Sequence, residues 1–133
     1  MDLNRVLPHR PPMVLVDRVE DVAAGHRLTG LRTVRADHDF YAEGLPAYLV
    51  LESWLQSAAV LLADEAPGRL VYVGALRDVR LGRPVLAGET VEHSVRLVRS
   101  VGDLAVCAGS SAVGADPVLR VGQATVTWRE PDR

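Results

Sequence analysis

The chain has 133 residues, a formal net charge of −2 and an apolar share of 48%. Such a length suits one compact domain, taken as residues 1–133, and such an apolar share excludes a globally disordered chain. A charge this close to zero excludes binding driven mainly by nucleic-acid phosphates, and no apolar run approaches the roughly 20 residues of a membrane span. All 15 basic residues are arginine. Cys107 is the lone cysteine, so neither an intrachain disulfide nor a cysteine-based zinc motif is available. With no signal-like apolar run at the start, the expected setting is the reducing cytoplasm.

The segment LPHRPP (Leu7 to Pro12) is too rich in proline for a helix interior and reads as a leading loop. Next, MVLVDRVEDV reads as a strand from its β-branched residues and partial alternation. A turn at Ala24-Gly25 leads to a second strand, RLTGLRTVRA, in which Gly30 suggests a bulge. Ala47 to Glu65 contains no glycine or proline and is dominated by helix formers; Pro46 suits its first turn and Pro67-Gly68 its stop. That helix is apolar on nearly every face, which marks it as buried. Its early exceptions, Glu52, Ser53, Gln56 and Ser57, form two i,i+4 pairs and hence one short polar stripe.

Strands follow: RLVYVGALRDVRL, ETVEHSVRLVRSV, LAVCAGSSAV and VLRVGQATVTW, with hairpin turns at Val101–Asp103 and Gly114–Pro117. In the second of these, Val91, His93, Val95 and Leu97 share one face. A single helix that is apolar all round calls for a sheet around it. The expected architecture is therefore α+β, with a curled antiparallel sheet wrapped around one long central helix.

Three segments, LPHRPPMVLVDRV, LPAYLVLESWLQSA and VGALRDVRLGRPVLAGETV, occur in this order and span most of the chain. They resemble the three motifs of the FabZ-like 3-hydroxyacyl-(acyl-carrier-protein) dehydratases of fatty-acid synthesis, which have the hot-dog fold. The resemblance implies a dimer with its active sites at the subunit interface. It implies an acyl-carrier protein as the bearer of the substrate on its phosphopantetheine arm, and no cofactor of the enzyme's own. The reaction removes water across C2–C3 of a thioester, so it needs a base for the C2 proton and an acid for the departing hydroxyl. In the family a histidine in a G-H-F-P-G loop is the base, and a helix carboxylate from the other subunit is the acid.

On this resemblance Glu52 takes the position of the catalytic glutamate. Gln56 takes that of the glutamine one turn later, and Ala47 replaces the glycine at the helix start. Gln56, Ala47 and Tyr48 are the implied substrate-contacting positions, because a helix N-terminus offers N–H donors to a thioester oxygen. The histidine is harder to place. His38 lies fourteen residues before Glu52, the interval found in the family. Reading forward from LPHR without a gap instead sets Gly44 on the histidine, with part of the loop deleted. The forward register is preferred, since Asp-x-x-Phe-Tyr matches the family's Asn-x-x-Phe-Phe and nothing around His38 provides the flanking glycines. His9, His26 and His93 are weaker candidates, and His93 reads as structural.

GLPAYLVLESWLQ is also similar to the short variants of polyene biosynthesis, which lack the histidine loop and pair with a complete dehydratase. Three functional readings follow. The favoured one is a partner subunit in a heterodimer with a histidine-containing dehydratase. The second is a self-sufficient homodimer using His38 and Glu52. The third is an acyl-thioester hydrolase on the same fold. Arg77, Arg80 and Arg83 form either a docking patch for the acidic carrier protein or an ordinary solvated strand edge. Leu49, Trp54 and Leu55 are either acyl-chain lining or core, with core the safer assignment.

Overall fold

A computed structural model of the chain describes residues 14–36, 44–63 and 70–129, together with Leu3 and Leu7. The element order is β1 (Arg18–Ala23), β2 (Arg27–Thr33), α1 (Ala47–Leu62), β3 (Leu70–Leu81), β4 (Thr90–Val101), β5 (Leu104–Val113) and β6 (Asp116–Arg129). All neighbouring strands pair antiparallel, in the spatial order β1-β2-β4-β5-β6-β3. The α1 crossover therefore carries the chain from β2 to the far edge of the sheet. Two tight turns, with Gly102 and Gly114 at positive φ, then return it through β4, β5 and β6.

One face of the sheet is apolar, and α1 lies on it. Val91, His93 and Val95 point inward from β4, while Glu92, Ser94 and Arg96 alternate outward, as the period-2 pattern requires. Val50, Trp54, Ala58 and Leu62 bring the helix into the same core as Val91, Val121, Ala124 and Val126. Position 30 adds a close approach: a Cβ there would lie 2.1 Å from Ser57 Oγ. Gly30 is thus not a bulge, since it stays in register with Val19 and His93. Its missing side chain lets the helix settle on β2, and the irregularity in β1 falls between Glu20 and Ala23 instead.

Two further expectations are corrected. The sheet is not curled around the helix and is not closed: β1 and β3 form its two edges and do not pair with each other. The reason is visible on α1. Residues such as Val50, Trp54 and Leu61 meet the sheet, while Tyr48 is 61% exposed and Leu51, Leu55 and Ala59 are only partly buried. All-round apolarity thus serves a sheet on one side and leaves an apolar stripe on the other. The first strand also begins later than expected, because Val14 to Asp17 stay outside the ladder. Both backbone groups of Leu15 are engaged by helix side chains instead.

Candidate active site

The start of α1 is fixed by the segment before it. Pro46 is the N-cap residue, with extended φ/ψ and no side-chain cap. Leu45 and Val85 exchange two backbone hydrogen bonds of 2.7 and 3.0 Å, tying the helix start to the segment after β3. Gly44 has φ +90, and a Cβ on it would lie 2.2 Å from the Val85 carbonyl oxygen. No side chain fits at that position. Only glycine adopts this backbone without strain, and the Leu45–Val85 bridge holds it in place. The first helical amides therefore emerge with no side-chain cap to occupy them.

Within the helix, the polar stripe resolves into separate roles. Gln56 Oε1 accepts the Leu15 N–H at 2.8 Å, while Gln56 Nε2 donates to Glu52 Oε1 at 3.3 Å. Since only the amide oxygen can accept from a backbone N–H, the orientation of Gln56 follows from chemistry. Ser53 Oγ donates to the Leu15 carbonyl at 2.5 Å and lies 2.7 Å from His93 Nε2. On its other side, His93 Nδ1 is 2.6 Å from Ser111 Oγ. Ser57 Oγ bonds back to the Ser53 carbonyl at 3.1 Å, so the expected Ser53–Ser57 pair does not join side chain to side chain. Ser53, Gln56, His93 and Ser111 are all essentially fully buried, and Glu52 is half-buried. Burial holds the His93 imidazole down at about 3, so the ring is neutral at ordinary pH.

The structure brings Glu52 and Gln56 together, with Ala47 and Tyr48 one turn earlier at the helix start. His38 and His9 lie outside the described residues. His26 is exposed in the β1–β2 turn. Trp54 is core: it is fully buried, and its Nε1 donates to the Ser94 carbonyl at 3.0 Å. Leu49 and Leu55 are partly buried and pack against the core. Arg77 and Arg80 are exposed on edge strand β3. Arg83 is occupied: it makes a two-pronged ion pair with Glu89 at 2.8 and 3.1 Å and a second contact with Asp116 at 2.8 Å. These bonds hold Arg83 above the usual guanidinium range and Glu89 below the usual carboxylate range.

Three parts of this site escaped the sequence reading: the Leu15 backbone, Ser53 as a link, and Ser111. The inward phase of His93 was legible in β4, but its partners were not. Ser53 lies 40 residues away and Ser111 lies 18 away. A cleft of about 640 Å³ lies elsewhere, beside Arg27, Thr29, Ser94, Arg96 and Ser110, and does not include Glu52. Among the described residues no group of His, Cys, Asp and Glu is arranged to hold a metal ion, and no helix is long and apolar enough to cross a membrane. Cys107 is buried, and burial pushes its thiol up to about 11. A thiol reagent at neutral pH is therefore expected to leave the folded chain unlabelled and to label it fully in denaturant. Rapid labelling without denaturant would contradict this burial.

Strand β3 exposes Tyr72, Val73, Leu76 and Leu81, at 47, 45, 39 and 52% of their surfaces. A twelve-residue edge strand with this much apolar surface is of the kind that proteins cover with a partner.

Comparison with known proteins identifies relatives in sequence and in fold. Residues 1–82 match the family described as ApeP-like, ApeP dehydratase. The chain is 30% identical to the 3-hydroxyacyl-[acyl-carrier-protein] dehydratase FabZ of Granulibacter bethesdensis, over 96% of this chain and 81% of that protein. Its fold is similar to a chain of the dehydratase heterocomplex ApeI:P from Xenorhabdus doucetiae, with a TM-score of 0.79, 21% identity and coverage of 98% and 91%. It is also similar in fold to the fluoroacetyl-CoA thioesterase FlK, with a TM-score of 0.67, 15% identity and coverage of 84% and 90%. The match over residues 1–82 covers the strand, helix and Glu52–Gln56 segments described above, and the chain belongs to the ApeP-like dehydratase family, with a hot-dog-type fold.

Proposed function

We propose that the chain is the partner subunit of a two-chain 3-hydroxyacyl-thioester dehydratase. It lends Glu52 as the acid to a site whose histidine base comes from a second, complete dehydratase subunit. The observation that carries this reading is Gly44. It stands where the forward register sets the family's histidine, and its backbone leaves no room for any side chain. The retained half of the site, Glu52 with Gln56 bonded to it, sits one turn beyond the helix start.

In this mechanism the partner's imidazole removes the C2 proton of the 3-hydroxyacyl thioester. The C2–H electron pair becomes the C2–C3 double bond, the C3–O bond breaks, and the Glu52 carboxyl proton goes to the departing hydroxyl to form water. Charge building on the thioester oxygen is met by the uncapped amides at the start of α1, near Ala47 and Tyr48. The β3 edge and the partly exposed stripe of Tyr48, Leu51, Leu55 and Ala59 are the surfaces offered to the second subunit. The name of the Granulibacter relative supports an acyl-carrier protein as the bearer of the substrate. For docking of that carrier, Arg77 and Arg80 remain suitable, whereas Arg83 already serves Glu89 and Asp116.

The test is incubation on a 3-hydroxyacyl-carrier substrate, first with the protein alone and then with a histidine-bearing dehydratase from the same source. Dehydration is expected in the mixture and not with the protein alone. Turnover by the protein alone would defeat the partner reading in favour of a self-sufficient homodimer. Release of free carrier thiol would favour the hydrolase.

A further inference from the structure

His93 lies in the core between two serines and has no part in the proposed chemistry. The hydrogen bonds around it nevertheless run in one direction. Ser53 has a single hydroxyl hydrogen, and that hydrogen goes to the Leu15 carbonyl. At 2.7 Å from Ser53 Oγ, His93 Nε2 must therefore be the donor. A neutral imidazole carries one N–H, so Nδ1 is left as the acceptor and Ser111 Oγ donates to it. Beyond Leu15, the same peptide segment donates its N–H to Gln56, and Gln56 donates to Glu52 Oε1. Every link has its donor on the Ser111 side and its acceptor on the Glu52 side.

We infer that Ser111, His93 and Ser53 form a one-way hydrogen-bond relay that positions Glu52 through Leu15 and Gln56, with His93 held as the neutral Nε2–H tautomer. The relay clamps both backbone groups of Leu15 against α1. That clamp prevents Gln56 from turning its amide over. Gln56 then keeps Nε2 turned to Glu52 Oε1, which fixes how the carboxyl is held on the helix. Core packing alone does not require this arrangement. Apolar side chains at 93 and 111 would fill the same space beside Val91 and Val95 without the cost of desolvating polar groups. His93 and Ser111 are thus positioning residues, and this role rests on the reading of Glu52 as an acid.

Two measurements test it. With histidine labelled in the full chain, two-bond 1H–15N spectra at neutral pH should show His93 protonated at Nε2 and bare at Nδ1. The opposite tautomer, or an imidazolium, would overturn the relay. Ser111→Ala should shift the side-chain amide resonances of Gln56, which Ser111 does not touch. In the mixed complex it should lower kcat about three- to tenfold, the scale of one lost buried hydrogen bond, with KM unchanged. Ser111→Cys keeps the size and weakens the donor, so it should give an intermediate effect, and it replaces the alanine variant should that one unfold. A lower melting temperature with the Gln56 amide and kcat unmoved would leave only a structural role and overturn the inference. If the wild-type mixture does not dehydrate at all, the partner reading fails, while the tautomer and the Gln56 shift still decide the relay.

Discussion

Glu52→Gln is expected to lower kcat of the mixed complex by about 10²–10⁴-fold, the usual worth of a positioned general acid, with little change in KM. The substitution is close to isosteric. The new side-chain carbonyl still accepts the hydrogen bond that Gln56 Nε2 now gives to Glu52 Oε1. What disappears is the proton for the departing hydroxyl, which an amide does not supply. Because the position is half-buried and stays hydrogen-bonded, the fold and the pairing with the second subunit should survive. Circular dichroism and size-exclusion chromatography check that survival. Unchanged turnover in the mixture would remove Glu52 from the reaction and leave the source of the acid elsewhere.

The second large effect concerns stability. His93→Ala should cost about 3–5 kcal/mol, because it opens a cavity in the core and takes a partner from two buried hydroxyls at once. Those hydroxyls belong to Ser53 and Ser111, and both side chains are buried away from solvent. Urea unfolding measures the loss, and a cost below about 1 kcal/mol would mean that the cluster is not cooperative. The same residue sets a pH dependence. Burial lowers the imidazole from 6.5 in the unfolded chain to about 3 in the folded one. Between those values the unfolded state binds a proton that the folded state refuses. The His93 contribution is therefore complete above pH 6.5 and declines as the pH falls towards 3, with a slope approaching about 1.4 kcal/mol per pH unit. His93→Leu, which fills most of the space but cannot titrate, should show a shallower loss of stability than wild type over that window. Equal slopes would show that the ring is already charged in the fold.

Much of the local structure was legible. The alternation in β4 identified which residues turn inward, since a half-buried strand repeats every two residues. The helix start at Ala47 and the turns at Gly102 and Gly114 follow from Pro46 and from glycines that accept positive φ. Glu52 and Gln56 stood out as polar positions on an apolar helix, and one helical turn brings them into contact. The family was also legible, because its motifs are short runs of neighbouring residues, and the match over residues 1–82 bears it out.

Other features depended on chain sections that meet only in the fold. An apolar residue on α1 looks the same whether it faces the sheet or the outside. An open sheet with an apolar helix stripe left over therefore could not be told from a sheet wrapped around the helix. Gly30 carries no sign that it makes room for Ser57, and Leu15 carries no sign that its peptide is held by the helix, 41 residues from Gln56. Gly44 shows the division most clearly. Its alignment with the family's histidine position came from the order of residues, whereas the absence of space for a side chain came from Val85, brought against it by the bridge to Leu45. By itself the sequence determined the elements, the family and the polar pair of Glu52 and Gln56 one turn apart on α1, because periodicity, turn chemistry and motifs act between near neighbours. Only the tertiary structure decided which face of α1 is covered, what His93 bonds to and how Glu52 is held, because these contacts depend on how distant segments pack.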